Sequence, residues 1–283
     1  MLGLALSLAC SLCWGLADFQ GGVQSRRLPV LWVVLLSQAF GLALVLIVLA
    51  GRGTGAPALH HLLPALAAGV AGLLGLAAFY RGLAVGTMSI VAPIAAAGMV
   101  LPVVVGIAGG DQPGPIRLVG MVITVAGVIV ASREGAPPGA ARRAARTSII
   151  LALVAALGFG AFALGLRASA RADVVWALLA ARVGCLLPLA AVLALGVRIG
   201  APQRPRLLHL GPIAVIGLLD VSANGLFALA TRHGLLSVVA VGSSLYPLVT
   251  VLLARGLLGE RVRRSQEAGV LAALGGVVLI AAG

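Results

Sequence analysis

Four polar side chains lie inside stretches of the sequence that are otherwise almost entirely apolar. Asp220 is at the middle of one such stretch, and Asn224 follows it by four residues, which places both on one face of a helix. Arg182 lies three or four residues from the centre of the preceding stretch, and Asp18 lies near the end of the first one. If lipid surrounds these stretches, each charge costs roughly 2.5–3.5 kcal/mol on insertion scales and is expected to face a protein interior or a wet cavity.

Each of these side chains has a functional and a structural interpretation. Asp220 and Asn224 could bind a cation, an amine or a proton, or the carboxylate could only hold helices together. Arg182 requires a carboxylate or an anionic ligand, and Asp220 is an available partner one stretch away, so Arg182 is either a site residue or a helix clamp. Asp18 is predicted at the mouth of a cavity, as a site or gate residue. Alternatively, it reaches interfacial water or pairs with the two arginines that follow it.

Other polar and aromatic residues are further candidates for a binding site. Gln38 in the second stretch could hydrogen-bond a substrate, or it could bond a neighbouring helix for a gain of about 0.6 kcal/mol. Trp14 and Tyr80 either line a cavity or lie in an interfacial aromatic belt. The sequence VGSSLYP (241–247) places three more hydroxyl groups before a proline, and these complete the predicted binding residues: Ser243, Ser244 and Tyr246.

No catalytic or metal-binding motif accompanies these residues. The sequence contains no G-x-S-x-G, H-E-x-x-H or phosphate-binding P-loop, and no Cys/His set with metal-ligand spacing. The four histidines lie in loops or at the ends of apolar stretches, and the three cysteines are interpreted as apolar packing residues. We therefore predict that the protein is not an enzyme and uses no metal or cofactor.

The apolar stretches themselves predict an integral membrane protein. Hydrophobic residues make up 61% of the 283 residues and charged residues 10%, whereas soluble domains carry about 25% charged residues. Roughly 20 apolar residues span a bilayer, and they must be helical because lipid offers no partner for free backbone groups. Ten spans are predicted, at about 2–22, 30–50, 62–82, 87–108, 116–132, 147–167, 174–197, 209–231, 236–258 and 266–282.

The basic residues predict the orientation in the membrane. The net charge of +13 comes from 20 basic residues, all of them arginine, which lie mostly in short loops between spans. This distribution argues against a nucleic-acid partner. Fourteen arginines follow odd-numbered spans and five follow even-numbered spans. By the positive-inside rule, both termini lie outside the cell membrane, which we take to be a bacterial inner or plasma membrane.

An internal repeat divides the chain into two halves. FYRGLAVGTMSIVA (79–92) aligns with FALATRHGLLSVVA (227–240), so that Phe79 corresponds to Phe227. A repeat of five helices ends on the side of the membrane opposite to its start, so the second copy must be inverted. The predicted units are a first five-helix repeat at 1–136, a linker rich in Pro, Gly and Arg at 137–146, and a second five-helix repeat at 147–283.

Proline and glycine positions distinguish two kinds of span. Pro93 and Pro102 in the fourth span and Pro247 in the ninth predict broken helices, interpreted as cavity walls or, alternatively, as packing kinks. Gly120 and Gly127 in the fifth span are seven residues apart, as are two glycines of the tenth, and each pair lies on one helix face. The fifth and tenth spans are therefore predicted to serve as scaffold or as a homodimer contact.

Three stretches carry a family resemblance: WGLADFQGG (14–22), FYRGLAVGTMSIVAP (79–93) and the end of the chain from Tyr246. They resemble the drug/metabolite transporter superfamily, and within it the ten-span EamA-type transporters. The most specific part is LGER (258–261) followed by a glycine-rich last span, whereas the first half carries only a degenerate GGDQPGP (109–115). The resemblance implies two inverted repeats of five helices, a central cavity, and export or exchange of small metabolites.

These features predict a secondary transporter that moves a small polar or amphipathic metabolite across the lipid bilayer by alternating access. Because the sequence has no ATP site, transport would be coupled to an ion gradient or to exchange, with Asp220 as the candidate proton carrier. Two other functions stay open: a receptor or assembly scaffold without flux, and an intramembrane enzyme that acts on lipid-linked substrates.

Overall fold

The computed structural model describes residues 1–86, 88–131, 141–194, 207–258 and 264–282, and the regular secondary structure in these ranges is helical. A short 3₁₀ helix, Ala97–Met99, joins two of the α-helices. The α-helices are α1 (Leu2–Ser25), α2 (Val30–Arg52), α3 (Leu59–Val85), α4 (Met88–Ala96), α5 (Val100–Ala108), α6 (Pro115–Ala131), α7 (Ala141–Ala170), α8 (Val174–Ala194), α9 (Leu207–His233), α10 (Leu236–Ser243), α11 (Tyr246–Leu258) and α12 (Arg264–Ala282).

These helices form the ten predicted spans, which confirms an all-α membrane fold. Six helices of the described ranges are long and apolar enough to cross a bilayer alone, namely α1, α2, α3, α7, α8 and α9. α6 and α12 each form one span with a shorter helix. The fourth span consists of α4 and α5, and the ninth consists of α10 and α11.

The two broken spans differ from the prediction in what breaks them. In the fourth span, the 3₁₀ turn lies between the two prolines and includes neither of them. Pro102 lies buried inside α5. Pro247 is the second residue of α11, in the first helical turn, where its missing N–H has no intrahelical partner to lose. The breaks still occur at corresponding places in the two halves, at Ala97–Met99 and at the turn 244–245.

Helix packing shows that the two halves are inverted copies. α3 packs along α7 and also against α8. In the second half, α9 is the counterpart of α3, and it packs along α1 and against α2, the counterparts of α7 and α8. Each half therefore inserts its third span into the other half, so that side chains from both halves meet at the centre of the molecule.

The predicted linker lies only partly within the described residues. α7 begins at Ala141, so residues 141–146 of the predicted linker 137–146 belong to a helix. The remainder of the linker falls outside the described ranges, as do residues 259–261 of the LGER motif.

α6 and α12 pack against each other through the predicted glycine faces. A Cβ atom built on Gly120 would lie 2.7 Å from the carbonyl oxygen of Gly276, and one on Gly127 would lie 2.7 Å from that of Gly269. Both glycine faces are thus used within one chain, and a homodimer would have to use other surfaces of these helices. Those surfaces carry exposed apolar side chains: Ile116, Val119, Val122, Leu271, Leu274 and Val278.

Gly120→Leu should lower the free energy of unfolding by about 1–3 kcal/mol, because the new side chain must push α12 away from α6. Gly275→Leu is the matched control, since a Cβ on Gly275 meets no atom within 4 Å. Thermal unfolding of both variants in lipid nanodiscs measures the difference. A folded Gly120→Leu protein with an altered ranking of substrates would contradict a purely scaffolding role.

Candidate functional site

A cavity lies at the centre of the molecule, where the two halves meet. Most of its polar lining residues lie near the middle of their helices, and therefore near the middle of the bilayer. The lining residues are Trp14, Asp18, Gln38, Gly69, Gly72, Leu76, Met99, Phe159, Phe162, Ala181, Arg182, Cys185, Asp220, Asn224 and Tyr246.

An ion pair forms the polar centre of this cavity. The Nη2 atom of Arg182 lies 2.8 Å from Oδ2 of Asp220. Gln38 bridges the pair, because its Nε2 donates to Asp220 Oδ2 over 3.2 Å and its Oε1 accepts a hydrogen bond from Arg182 Nη1. Asn224 Nδ2 donates to the same Asp220 oxygen over 3.4 Å. The four side chains form one network in which Arg182, Gln38 and Asn224 are almost completely buried.

The position of Arg182 depends on a close crossing of α3 and α8. A Cβ on Gly69 of α3 would overlap the carbonyl oxygen of Ala181 on α8. A Cβ on Gly184 of α8 would likewise overlap the carbonyl oxygen of Leu66 on α3. Because only glycine lets the two backbones approach this closely, these glycines bring an arginine of the second half against the first half.

The matching crossing of α9 and α2 positions the partners of the arginine. A Cβ on Gly217 of α9 would overlap the carbonyl oxygen of Ser37 on α2. A Cβ on Gly41 of α2 would lie 3.2 Å from the carbonyl oxygen of Gly217. Asp220 follows this crossing on α9 and Gln38 lies within it on α2, so the crossing sets the separation of these two side chains.

Asp18 lines the same cavity but lies apart from this network. It is only 7% exposed, and no residue of the described ranges gives it a hydrogen bond or an ion pair. Arg26 and Arg27, the alternative partners that the sequence suggests, are both exposed and make no ion pair with it. The structure therefore places Asp18 in the wall of the cavity, and its role as a gate residue stays a prediction. Its carboxylate lies within electrostatic range of Asp220.

Aromatic rings form much of the apolar wall. The ring centroid of Trp14 lies 6.2 Å from that of Tyr246, edge to face, and 5.9 Å from that of Phe227. Phe159 and Phe162 of α7 extend this wall. Sequence reasoning missed these two phenylalanines and the other apolar lining residues, because an apolar residue that faces a cavity has the same sequence pattern as one that faces lipid.

The predicted binding residues divide into two groups. Tyr80 lies behind α1, with its ring against Gly21, and is 1% exposed. Ser243 is fully buried, and the Ser244 hydroxyl donates to the carbonyl oxygen of Val241 over 2.8 Å beside a separate apolar pocket. These three side chains are not among the lining residues of the central cavity. The other seven predicted residues line it: Trp14, Asp18, Gln38, Arg182, Asp220, Asn224 and Tyr246. Substrate binding by these seven stays a prediction.

Comparison with known families identifies the fold. The sequence model of the EamA-like transporter family matches residues 1–133 and, again, residues 146–282. The chain belongs to the EamA-like transporter family. Members of this family are membrane transporters of small molecules. The EamA-like chain is thus a multi-pass membrane protein, and its two matches coincide with the two inverted halves.

A solved structure shares the EamA-like architecture. It is described only as "Crystal structure of protein", is 16% identical in sequence, and superposes with a TM-score of 0.74 over 98% of this chain and 95% of that chain. At this level of identity the likeness concerns the fold alone. No curated protein sequence matches this EamA-like chain at a significant level.

Proposed function

We propose that this EamA-like protein is a secondary active transporter that carries a small metabolite through the central cavity by alternating access. The main support is a charged cavity at mid-bilayer that both halves build, with Asp18 and Gln38 from the first half and Arg182 and Asp220 from the second. Ionisable residues at this depth mark substrate and ion pathways. Transporters with inverted repeats commonly expose such a site by rocking one repeat or helix bundle against another.

Two polar contacts join the halves on the side of the membrane where the chain termini lie. Arg52 at the end of α2 forms a double hydrogen bond with Asp173, the residue before α8, over 3.0 and 3.3 Å. Asp111, after α5, accepts a hydrogen bond over 2.8 Å from the backbone nitrogen of Ser237 at the start of α10. Both contacts must break if the helices that they join separate on this side, so we assign them to its gate.

We propose an orientation and direction for this movement. The arginine distribution places the termini, and this gate, on the outer side of the cell membrane. Export or exchange is the direction that the family resemblance favours.

We propose that an ion gradient or substrate exchange drives transport, because the sequence contains no nucleotide-binding motif. Asp220 is a candidate proton carrier. One oxygen of its carboxylate already accepts hydrogen bonds from Gln38 and Asn224 and pairs with Arg182, which favours the interpretation as a helix clamp. Asp220→Asn separates these two interpretations, because they predict different effects on stability and on flux.

Transport can be measured in proteoliposomes although the substrate is unidentified. Vesicles that contain the purified protein are loaded with a bacterial metabolite extract and diluted, and mass spectrometry follows which compounds leave. We expect selective loss of at least one compound. Vesicles with Gly72→Leu, which fills the cavity, should retain it. Retention of every compound by vesicles with intact protein would favour a receptor or scaffold, and formation of a new compound would indicate an enzyme.

A further inference from the structure

The central cavity is lined by more acidic than basic side chains. Its lining contains two carboxylates, Asp18 and Asp220, and one guanidinium, that of Arg182. Arg182 is already engaged, because it pairs with Asp220 and donates to Gln38. Its Nε atom has no hydrogen-bond partner among the described residues and faces the backbone of α2, where a Cβ on Gly41 would lie 3.4 Å from it. Among the described lining residues no cation is left for Asp18, so an ionised Asp18 would need its counter-charge from a ligand.

The cavity also contains buried oxygen atoms without partners. Oδ1 of Asn224 and the hydroxyl oxygen of Tyr246 have no hydrogen-bond partner in the described structure, although these residues are 2% and 3% exposed. A buried acceptor without a partner is costly. Together with the Asp18 carboxylate, these atoms would accept hydrogen bonds from a ligand that carries several N–H donors.

An aromatic surface lies beside the unpaired carboxylate. Trp14 precedes Asp18 by four residues, so the two side chains share one face of α1, and Tyr246 packs against Trp14. The faces of tryptophan and tyrosine rings attract cations. Phe159 and Phe162 supply an apolar surface for the remainder of a ligand.

We propose that Asp18 binds the ammonium group of a monovalent organic cation that has an aromatic or apolar body. The inference rests on the proposed transport function and names the substrate class of the same cavity. An anion, or the carboxylate of a zwitterion, would meet the carboxylates of Asp18 and Asp220 and would compete with Asp220 for Arg182. A neutral molecule supplies no counter-charge, and an ionised Asp18 without one is unfavourable in a low-dielectric interior.

Three probes with one aromatic body test this selectivity on the unaltered protein: phenethylammonium, its neutral analogue 2-phenylethanol, and the zwitterion phenylalanine. Thermal unfolding and quenching of tryptophan fluorescence in detergent measure binding. We expect phenethylammonium to bind at least about tenfold more tightly than either of the other probes, the ratio that one charge-assisted hydrogen bond supplies. Equal binding of the three, tighter binding of phenylalanine, or no binding of phenethylammonium at millimolar concentration would overturn the proposal.

Asp18→Asn tests the residue itself, because it keeps the shape of the side chain and removes its charge. Its affinity for phenethylammonium should fall about tenfold or more, to the level of 2-phenylethanol. Arg27→Gln removes an exposed charge outside the cavity and should bind the amine as the unaltered protein does. Unchanged amine affinity in a folded Asp18→Asn protein would overturn the proposal. If that variant does not fold, the comparison of the three probes decides.

This experiment measures binding at equilibrium and requires no flux. A protein that binds phenethylammonium selectively but releases no compound from proteoliposomes would support the cation site and refute transport. If the protein releases a compound selectively but does not prefer phenethylammonium to the other two probes, transport would be supported and the cation site refuted.

Discussion

Asp220→Asn should lower the free energy of unfolding by about 3–5 kcal/mol, because it leaves the buried guanidinium of Arg182 without its carboxylate. Thermal or chemical unfolding in lipid nanodiscs measures this loss. Arg52→Ala is the matched control, since it removes an ion pair whose arginine side chain is 39% exposed. Exposed pairs contribute little, so this control should cost less than about 1 kcal/mol.

A second substitution distinguishes a helix clamp from a proton carrier. If Asp220 only clamps Arg182, adding Arg182→Gln to Asp220→Asn removes the stranded charge and should restore most of the lost stability. If Asp220 carries a proton, the single variant should keep its fold and substrate binding and lose flux driven by a pH gradient, whereas exchange between equal pools survives. A stable Asp220→Asn protein with full gradient-driven transport would contradict both interpretations, and the polar site would then rest on Asp18 and Asn224.

Gly217→Leu should lower the free energy of unfolding by about 3 kcal/mol or more, because even a Cβ at this position would overlap the carbonyl oxygen of Ser37. Separation of α9 from α2 should also break the nearby hydrogen bond from Gln38 to Asp220. Gly211→Leu is the matched control on the same helix, since a Cβ there meets no atom within 4 Å.

The same unfolding measurement in nanodiscs compares the two glycine variants. Gly211→Leu should unfold as the unaltered protein does. Equal stability of the Gly217 and Gly211 variants would show that the close crossing of α2 and α9 does not hold the site together.

The ten spans and their inverted arrangement could be predicted because lipid imposes length, helicity and hydrophobicity on every span. The same physics explains why Arg182 and Asp220 could be suggested as partners. A charge inside the bilayer requires an opposite charge, and the sequence offers few of either sign within its spans.

The glycine crossings were not predicted, although they leave a signal in the sequence. The alignment that matches Phe79 with Phe227 also matches Gly69 with Gly217. Both of these glycines make the close backbone contacts that bring α3 to α8 and α9 to α2. Glycine at one position of the third span in both halves therefore indicates a pair of equivalent close crossings.

Other features of the site depend on tertiary structure and have no local signal. α1 extends to Ser25, and surrounding helices bury Asp18 at a depth that position along the span alone does not define. Whether a hydroxyl group faces a cavity depends on the rotation of its helix. Tyr80 and Ser243 therefore pack against neighbouring helices, whereas Tyr246, placed at the start of α11, lines the cavity.

Accessibility of Cys185 tests alternating access most directly. Cys185 lines the cavity and is 5% exposed, and after Cys10→Ala and Cys13→Ala it is the single thiol of the chain. A membrane-impermeant thiosulfonate reacts with it only when water enters the cavity. In oriented proteoliposomes we predict reaction with reagent supplied from either side of the membrane. Reaction from one side alone under every condition would contradict alternating access, because the cavity would then open to only one side of the membrane.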